Sequence, residues 1–270
     1  MKVQNKVIVV TGGGNGIGRE LVLNLLSKGA RVAAVDVNES ALQETVALAG
    51  NHKDKLSTHV VDITNKDAVE ALVEKVISAH GTVDGVINNA GIIQPFVRVN
   101  ELSYADIDRV MNVNFYGTLY MTKALLPHLL KRPEAHIANV SSMGGFLPVP
   151  GQSLYGASKA AVKLFTEGLH SELLTTNVGV TVIFPGAIGT NIAANSGVAN
   201  TLRVENVDQA EMARRTLAPS KAAEIIVNAI EKNLFRVTVG SDATFLDRFY
   251  RLSPERAANF IFKQMQSLLG

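Results

Sequence analysis

Seven short apolar runs, separated by stretches of helical periodicity, constrain the fold of this 270-residue chain more than any other feature. The runs at 7–10, 32–35, 56–61, 83–87, 137–140, 178–184 and 235–239 are too short for helices, and most lack polar alternation. That pattern predicts strands buried on both faces of a parallel sheet. Helices are predicted over 16–27, 39–49, 66–79, 103–130, 155–176 and 220–232. Alternation of this kind specifies an α/β fold with a doubly wound parallel sheet, helices on both faces and right-handed crossovers. No linker-like stretch or repeat interrupts it, so one domain over 1–270 is expected.

Composition narrows the function classes. The formal net charge of +2 and the lack of a Lys/Arg cluster argue against a nucleic-acid partner. There is no cysteine, which excludes disulfides, thiolate metal sites and thiol catalysis. The histidines show no metal-ligand spacing, so no metal is expected. The first strand pattern begins within a few residues of Met1, and no apolar run reaches the roughly 18 residues of a membrane span. A cytoplasmic protein is the expectation.

The first run leads into Thr11-Gly12-Gly13-Gly14-Asn15-Gly16-Ile17-Gly18, which opens a helix carrying Leu21, Leu25 and Leu26. Strand, glycine turn and helix in that order make a cradle for a dinucleotide pyrophosphate. Gly12 permits the tight turn, Gly16 lets the backbone approach the phosphates, and Gly18 allows close helix–strand packing. The free N–H groups and positive end of the helix then face the anion. Asp36 ends the second strand, about 20 residues past the glycines, where a carboxylate bonds ribose hydroxyls and repels a 2′-phosphate. Its neighbours Val37, Asn38 and Asn15 supply no cation. Arg31 reads as a solvated strand start and Arg19 as a first-turn residue facing water, so NAD(H) is expected over NADP(H).

Tyr155 and Lys159 stand four residues apart, on one helix face. A phenol, with a reference pKa of about 10, is a poor base at neutral pH. A neighbouring ammonium favours the phenolate and makes a usable acid/base pair. The hydroxyl of Ser142 is placed to hold a carbonyl oxygen beside that phenol. With a dinucleotide site, these residues outline hydride transfer.

Thr11-Gly12-x-x-x-Gly16-x-Gly18, Asp62, Asn88-Asn89-Ala90-Gly91, Asn114, Ser142, Tyr155-x-x-x-Lys159 and Pro185-Gly186 together resemble the short-chain dehydrogenase/reductase family over nearly the whole chain. The resemblance implies a Rossmann-type sheet of about seven parallel strands and a homodimer or homotetramer. It implies catalytic roles for Asn114, Ser142, Tyr155 and Lys159. It also implies that Gly12, Asn15, Gly16, Ile17, Gly18, Asp36, Asp62, Ile63, Asn89, Ala90, Gly91, Tyr155, Lys159, Pro185, Gly186, Ile188 and Thr190 bind the cofactor. Asp62 and Ile63 would meet the adenine; Pro185, Gly186, Ile188 and Thr190 would line the nicotinamide. Ser141 competes with Ser142, and Asn112 with Asn114; the family pattern matches Ser142 and Asn114.

Pocket walls are expected from the segment after Gly91, the segment between Ser142 and Tyr155, and a long loop over 189–214. Ser142, Gln94, Phe146, Gln152, Tyr155 and Ile192 are the expected substrate contacts. Arg98, Arg203 and Arg214 read as solvated. Predominantly apolar walls without a Lys or Arg favour an uncharged hydrophobic ketone or secondary alcohol. The alternative is a non-catalytic NAD-binding regulatory or scaffold protein, because fold alone does not establish function. The amphipathic tail over 244–270 is expected to be a helix pair packed on the body or on a sister subunit, in preference to a membrane-surface element supported by Arg248, Arg251, Arg256 and Lys263.

Overall fold

The computed structural model describes residues 1–198 and 216–266. Its framework is a seven-stranded parallel sheet in the order β3-β2-β1-β4-β5-β6-β7. The strands are β1 Val7–Thr11, β2 Arg31–Asp36, β3 Leu56–Val60, β4 Gly85–Asn88, β5 Ala135–Val140, β6 Val178–Pro185 and β7 Arg236–Val239. The order runs outward from β1 in one direction and from β4 in the other, so the chain reverses between them. Doubly wound sheets bind ligands at that reversal, outside the carboxyl ends of the strands.

The helices are α1 Gly16–Ser27, α2 Glu39–Ala49, α3 Lys66–His80, α4 Tyr104–Met111, α5 Thr118–Leu129, α6 Ser153–Leu173, α7 Ile192–Asn195, α8 Pro219–Glu231, α9 Ser241–Leu252 and α10 Pro254–Met265. Side chains alternate across β1 into two different cores. Ile8 and Val10 pack with Leu21, Leu25, Ile226 and Ile230 of α1 and α8. Val7 and Val9 pack with Leu72, Val76, Met121, Leu125 and Leu169 of α3, α5 and α6. Both faces are dry, which is why the strands read as unbroken apolar runs. Helix starts follow from capping: the side-chain oxygens of Asn38, Asn65 and Ser103 accept the N–H groups of Ala41, Ala68 and Asp106, each at 3.1 Å. Caps of this type stabilise a helix by about 1 kcal/mol.

Two predicted helices differ from those observed. The predicted 103–130 helix is interrupted by a π-helical turn over Asn112–Gly117. Ile63 packs directly over Gly117, and Asn114 turns fully inward to bond the backbone of Ile92. The wider turn accommodates those contacts, which helical periodicity alone does not register. The predicted 155–176 helix begins at Ser153, because Gln94 caps its first turn. The tail forms the helix pair α9–α10, with Leu246, Ala257 and Ile261 buried against Leu147. Among the described residues no helix is long and apolar enough to cross a membrane.

Candidate active site

Every motif found in the sequence reaches the carboxyl edge of the sheet. Thr11, Asp36, Asn88, Val140 and Pro185 are the last residues of β1, β2, β4, β5 and β6. At the glycine turn, Gly12 and Gly16 take left-handed φ values of +69° and +51°, which favour glycine. A Cβ on Gly18 would collide with the Gly12 carbonyl, so α1 packs closely on the turn. The side chain of Asn15 caps α1 at Gly16. The N–H groups of Ile17 and Gly18 in that first turn have no acceptor among the described residues. Such orphan donors at a helix N-terminus suit a pyrophosphate, so the residues present fit a dinucleotide.

Asp36 is partly exposed, and its carboxylate accepts the N–H of Gly14 and of Asn38, each at 3.0 Å. Arg19 does not face water as expected. Its Nε donates to the Gly14 carbonyl at 2.9 Å and its Nη2 pairs with Glu44 at 2.6 Å. The guanidinium is thus a brace between the turn and α2. Arg31 donates to the His80 carbonyl at 2.8 Å instead of standing free. Thr11 is the turn's other anchor. Its hydroxyl accepts the N–H groups of Asn89 and Ala90, both at 3.0 Å, fixing the turn after β4.

Asp62 stays exposed and its carboxylate bonds Thr64, while Ile63 is buried against Gly117. At the far end of the groove, Thr190 lies against Gly16, so the segment after β6 folds over the glycine turn. The ends of the 189–214 loop are tied by a parallel bridge between Ile188 and Leu217. Its first half carries α7, and Ser196 accepts the Ile93 N–H at 3.0 Å while Arg109 holds the Ser196 carbonyl at 2.9 Å. Ile192 is half-buried on α7. Arg203, Arg214 and the rest of the loop over 199–215 lie outside the described residues.

The four catalytic candidates come from the turn after β5, from α6 and from the π-helical turn. A Cβ on Gly144 would lie 3.5 Å from both Ser142 Oγ and a Tyr155 ring carbon, so hydroxyl and phenol flank one point. A Cβ on Gly91 would lie 2.9 Å from Lys159 Nζ and 3.2 Å from Asn114 Oδ1, so both side chains reach the backbone at Gly91. Lys159 Nζ donates to the Val140 carbonyl at 3.0 Å. Asn114 accepts the Ile92 N–H at 2.8 Å and donates to Ser158 at 2.9 Å. Ser141, the competitor of Ser142, is spent on the Lys159 carbonyl at 2.7 Å. Asn112 is exposed.

Burial pushes the Tyr155 phenol above its ordinary value, and the Ser142 hydroxyl beside it pulls the other way. Burial lowers the Lys159 ammonium to about 8. The expected depression of Tyr155 by Lys159 is not what this geometry yields, because the ammonium is turned to the end of β5.

Two expected substrate contacts, Gln94 and Gln152, are placed differently. Gln94 is fully buried: its amide donates to the Gly151 carbonyl at 3.0 Å, and its oxygen accepts the N–H groups of Leu154 and Tyr155 at 2.8 and 3.0 Å. Gln152 is buried too and donates to the Gln94 carbonyl at 2.9 Å. Both are struts of α6. Phe146 packs edge-on to Phe184, with centroids 5.4 Å apart, under the tail helices. Sequence reasoning also missed Asp242 at the start of α9, whose carboxylate accepts the Ala187 N–H at 2.7 Å and crowds Gly186. An acidic residue in the first turn of a C-terminal helix carries no signal of so distant a partner.

Comparison with known proteins bears on the family and the fold. Residues 6–200 match the family model described as short chain dehydrogenase. The chain is 41% identical over 257 residues to the protein designated oxidoreductase SadH in Mycobacterium tuberculosis, covering 92% of this chain and 91% of that one. It is 35% identical over 190 residues to the 3-oxoacyl-[acyl-carrier-protein] reductase FabG of Thermotoga maritima, covering 70% and 77%. A short-chain dehydrogenase/reductase from Burkholderia phymatum, solved in complex with NAD, superposes with a TM-score of 0.83 at 27% identity over 94% of this chain and 96% of that one. A Burkholderia cenocepacia short-chain dehydrogenase, solved with NADP, gives 0.79 at 25% identity over 97% and 99%. The fold is that of a Rossmann-type oxidoreductase. The chain belongs to the short-chain dehydrogenase family.

Proposed function

We propose that this protein interconverts an apolar secondary alcohol and its ketone, with NAD(H) as the hydride carrier and Tyr155 as the general acid/base. The observation that carries the reading is the convergence of Ser142 and Tyr155 on one point at Gly144, with Lys159 and Asn114 around Gly91. Bound at the glycine turn, the nicotinamide cofactor supplies the hydride acceptor or donor.

In the oxidation direction Ser142 hydrogen-bonds the substrate oxygen and Tyr155 receives its proton. In reduction the neutral phenol, favoured by burial, returns it. Lys159 stands ready to bond the cofactor ribose and, once turned toward Tyr155, to stabilise the phenolate. Asn114 Oδ1 keeps a second lone pair for a water leading to Lys159. NAD is favoured because Asp36 repels a 2′-phosphate and the neighbouring Arg19 is already held by Gly14 and Glu44. Exposed Tyr116 and Leu164 support assembly as a homodimer or homotetramer through these helical faces.

Initial rates with NAD⁺ and NADP⁺ across aliphatic, cyclic, aromatic and steroid secondary alcohols test the reading. Turnover with NAD⁺, lost by at least a hundredfold in Tyr155→Phe while NADH binding persists, is expected. NADH binding without turnover of any alcohol or ketone would leave a cofactor-binding protein in its place.

A further inference from the structure

Helices α9 and α10 bury one side and expose a second, aromatic one. Leu246, Ala257 and Ile261 turn inward against Leu147. On α9, Phe245, Arg248 and Leu252 recur at helical spacing on the outer side, with Phe245 and Leu252 exposed by 59% and 85%. On α10, Arg256, Phe260 and Lys263 repeat the pattern, while Phe262 is exposed on a different side of the helix. The two stripes join through ring contacts: Phe245 lies 5.9 Å from Phe249, and Phe249 lies 6.0 Å from Phe260. The result is a continuous aromatic ridge that crosses both helices.

The charges along this ridge are unbalanced. Arg248, Arg256 and Lys263 have no carboxylate partner among the described residues. Asp247 faces inward to Arg236 at 2.8 Å and also holds Arg251 at 3.2 Å. Asp242 is committed to the Ala187 N–H. Glu255 is the exposed carboxylate of the pair. Contiguous exposed apolar surface fringed by charge marks an interaction site. A two-fold contact would lay this net-positive patch on its own copy, where the exposed Glu255 alone could meet three unpaired cations, so like charge would oppose it. A negatively charged lipid surface complements both properties, accepting rings at the headgroup level and cations among the phosphates.

We propose that the α9–α10 face docks this protein on an anionic lipid surface. The ridge enters the headgroup layer, and the Arg and Lys stems reach outward so that their charges meet phosphate. Leu147, between Ser142 and Tyr155 in sequence, lies on the inner side of the same helices, so docking brings the catalytic edge close to the bilayer. Given the function proposed above, an apolar alcohol dissolved in that bilayer is the substrate so reached; the docking surface itself does not depend on that reading.

Co-sedimentation of the full chain with phosphatidylcholine vesicles, with and without phosphatidylglycerol, tests this directly, because binding is read without any turnover. The expected result is binding to the anionic vesicles alone, weakened by salt. Each cation strengthens such binding about fivefold, so R248E/R256E/K263E is expected to lower it by on the order of a hundredfold or more. Circular dichroism and turnover of a water-soluble alcohol should be unchanged in that variant. Failure of the native chain to bind anionic vesicles overturns the proposal. So does binding that ignores the charge reversal. Sedimentation velocity showing an oligomer that dissociates in F245S/F260S would also overturn it, assigning the face to a second copy.

Discussion

The side-chain oxygen of Gln94 lies 3.0 Å from the backbone nitrogen of Tyr155, and the same oxygen accepts the Leu154 N–H at 2.8 Å. A residue on the loop after β4 thus starts the helix that carries the proposed acid/base. Replacing Gln94 by Leu leaves two helix N–H groups and the Gly151 carbonyl unpaired in a buried place. A stability loss of about 2–3 kcal/mol is expected, together with a fall in kcat larger than any change in cofactor affinity. Urea denaturation and NADH titration beside initial rates check it. Normal kcat in Gln94→Leu would show that Tyr155 needs no such support.

Asp36 is held at the glycine turn by Gly14, with Val37 exposed next to it. Asp36→Ala combined with Val37→Arg removes the repulsion of a 2′-phosphate and adds a cation for it. The ratio of kcat/KM for NADP⁺ over NAD⁺ is expected to rise by at least tenfold. An unchanged ratio would remove Asp36 from the discrimination.

Asp242 holds the Ala187 N–H from the start of α9 and so fixes the backbone after Pro185. Asp242→Ala is expected to raise KM for the cofactor severalfold, with a stability loss of roughly 1–3 kcal/mol. Asp242→Asn keeps an acceptor oxygen and should recover much of both. Calorimetric titration with NADH and thermal melts separate the two effects. Equal impairment in both variants would mean the carboxylate acts by charge instead.

His136 is buried on β5, shares a 2.8 Å hydrogen bond with Thr181, and has its pKa lowered by burial from 6.5 to about 3. The unfolded chain takes up this proton near pH 6.5, whereas the folded chain does so only near pH 3. Between those values the unfolded state binds more protons, so stability is present above the window and is lost as pH falls through it. The slope from this group approaches roughly 1.4 kcal/mol per pH unit. His136→Gln should be less stable at pH 7 but lose less of its stability between pH 6.5 and pH 4. Parallel slopes in urea midpoints for the two proteins would show that His136 does not contribute.

Legibility in the sequence followed the range of the interactions. The central strands were readable because they are wetted on neither face, and the glycine turn because Gly12 and Gly16 stand where the backbone enters left-handed conformations. The Tyr155–Lys159 pair lies within one helical turn, and Ser142 follows the end of β5, so these positions belong to single local elements. By contrast, Arg19 looks solvated along its own helix, and only the packing of α2 on α1 makes it a brace to Glu44. Gln94 looks like a pocket residue until α6 is docked on it.

What the sequence determined by itself was the order of strands and helices, the glycine turn at Gly12–Gly18 and the Tyr155–Lys159 pairing, because each is encoded in spacing along one element. The tertiary structure alone decided that Asn112–Gly117 widens to a π-helical turn with Asn114 inside, that Lys159 points to Val140, and that Asp242 reaches Ala187. Those contacts join residues distant in the chain, and their geometry is set by how the layers close over the sheet, which no local periodicity carries.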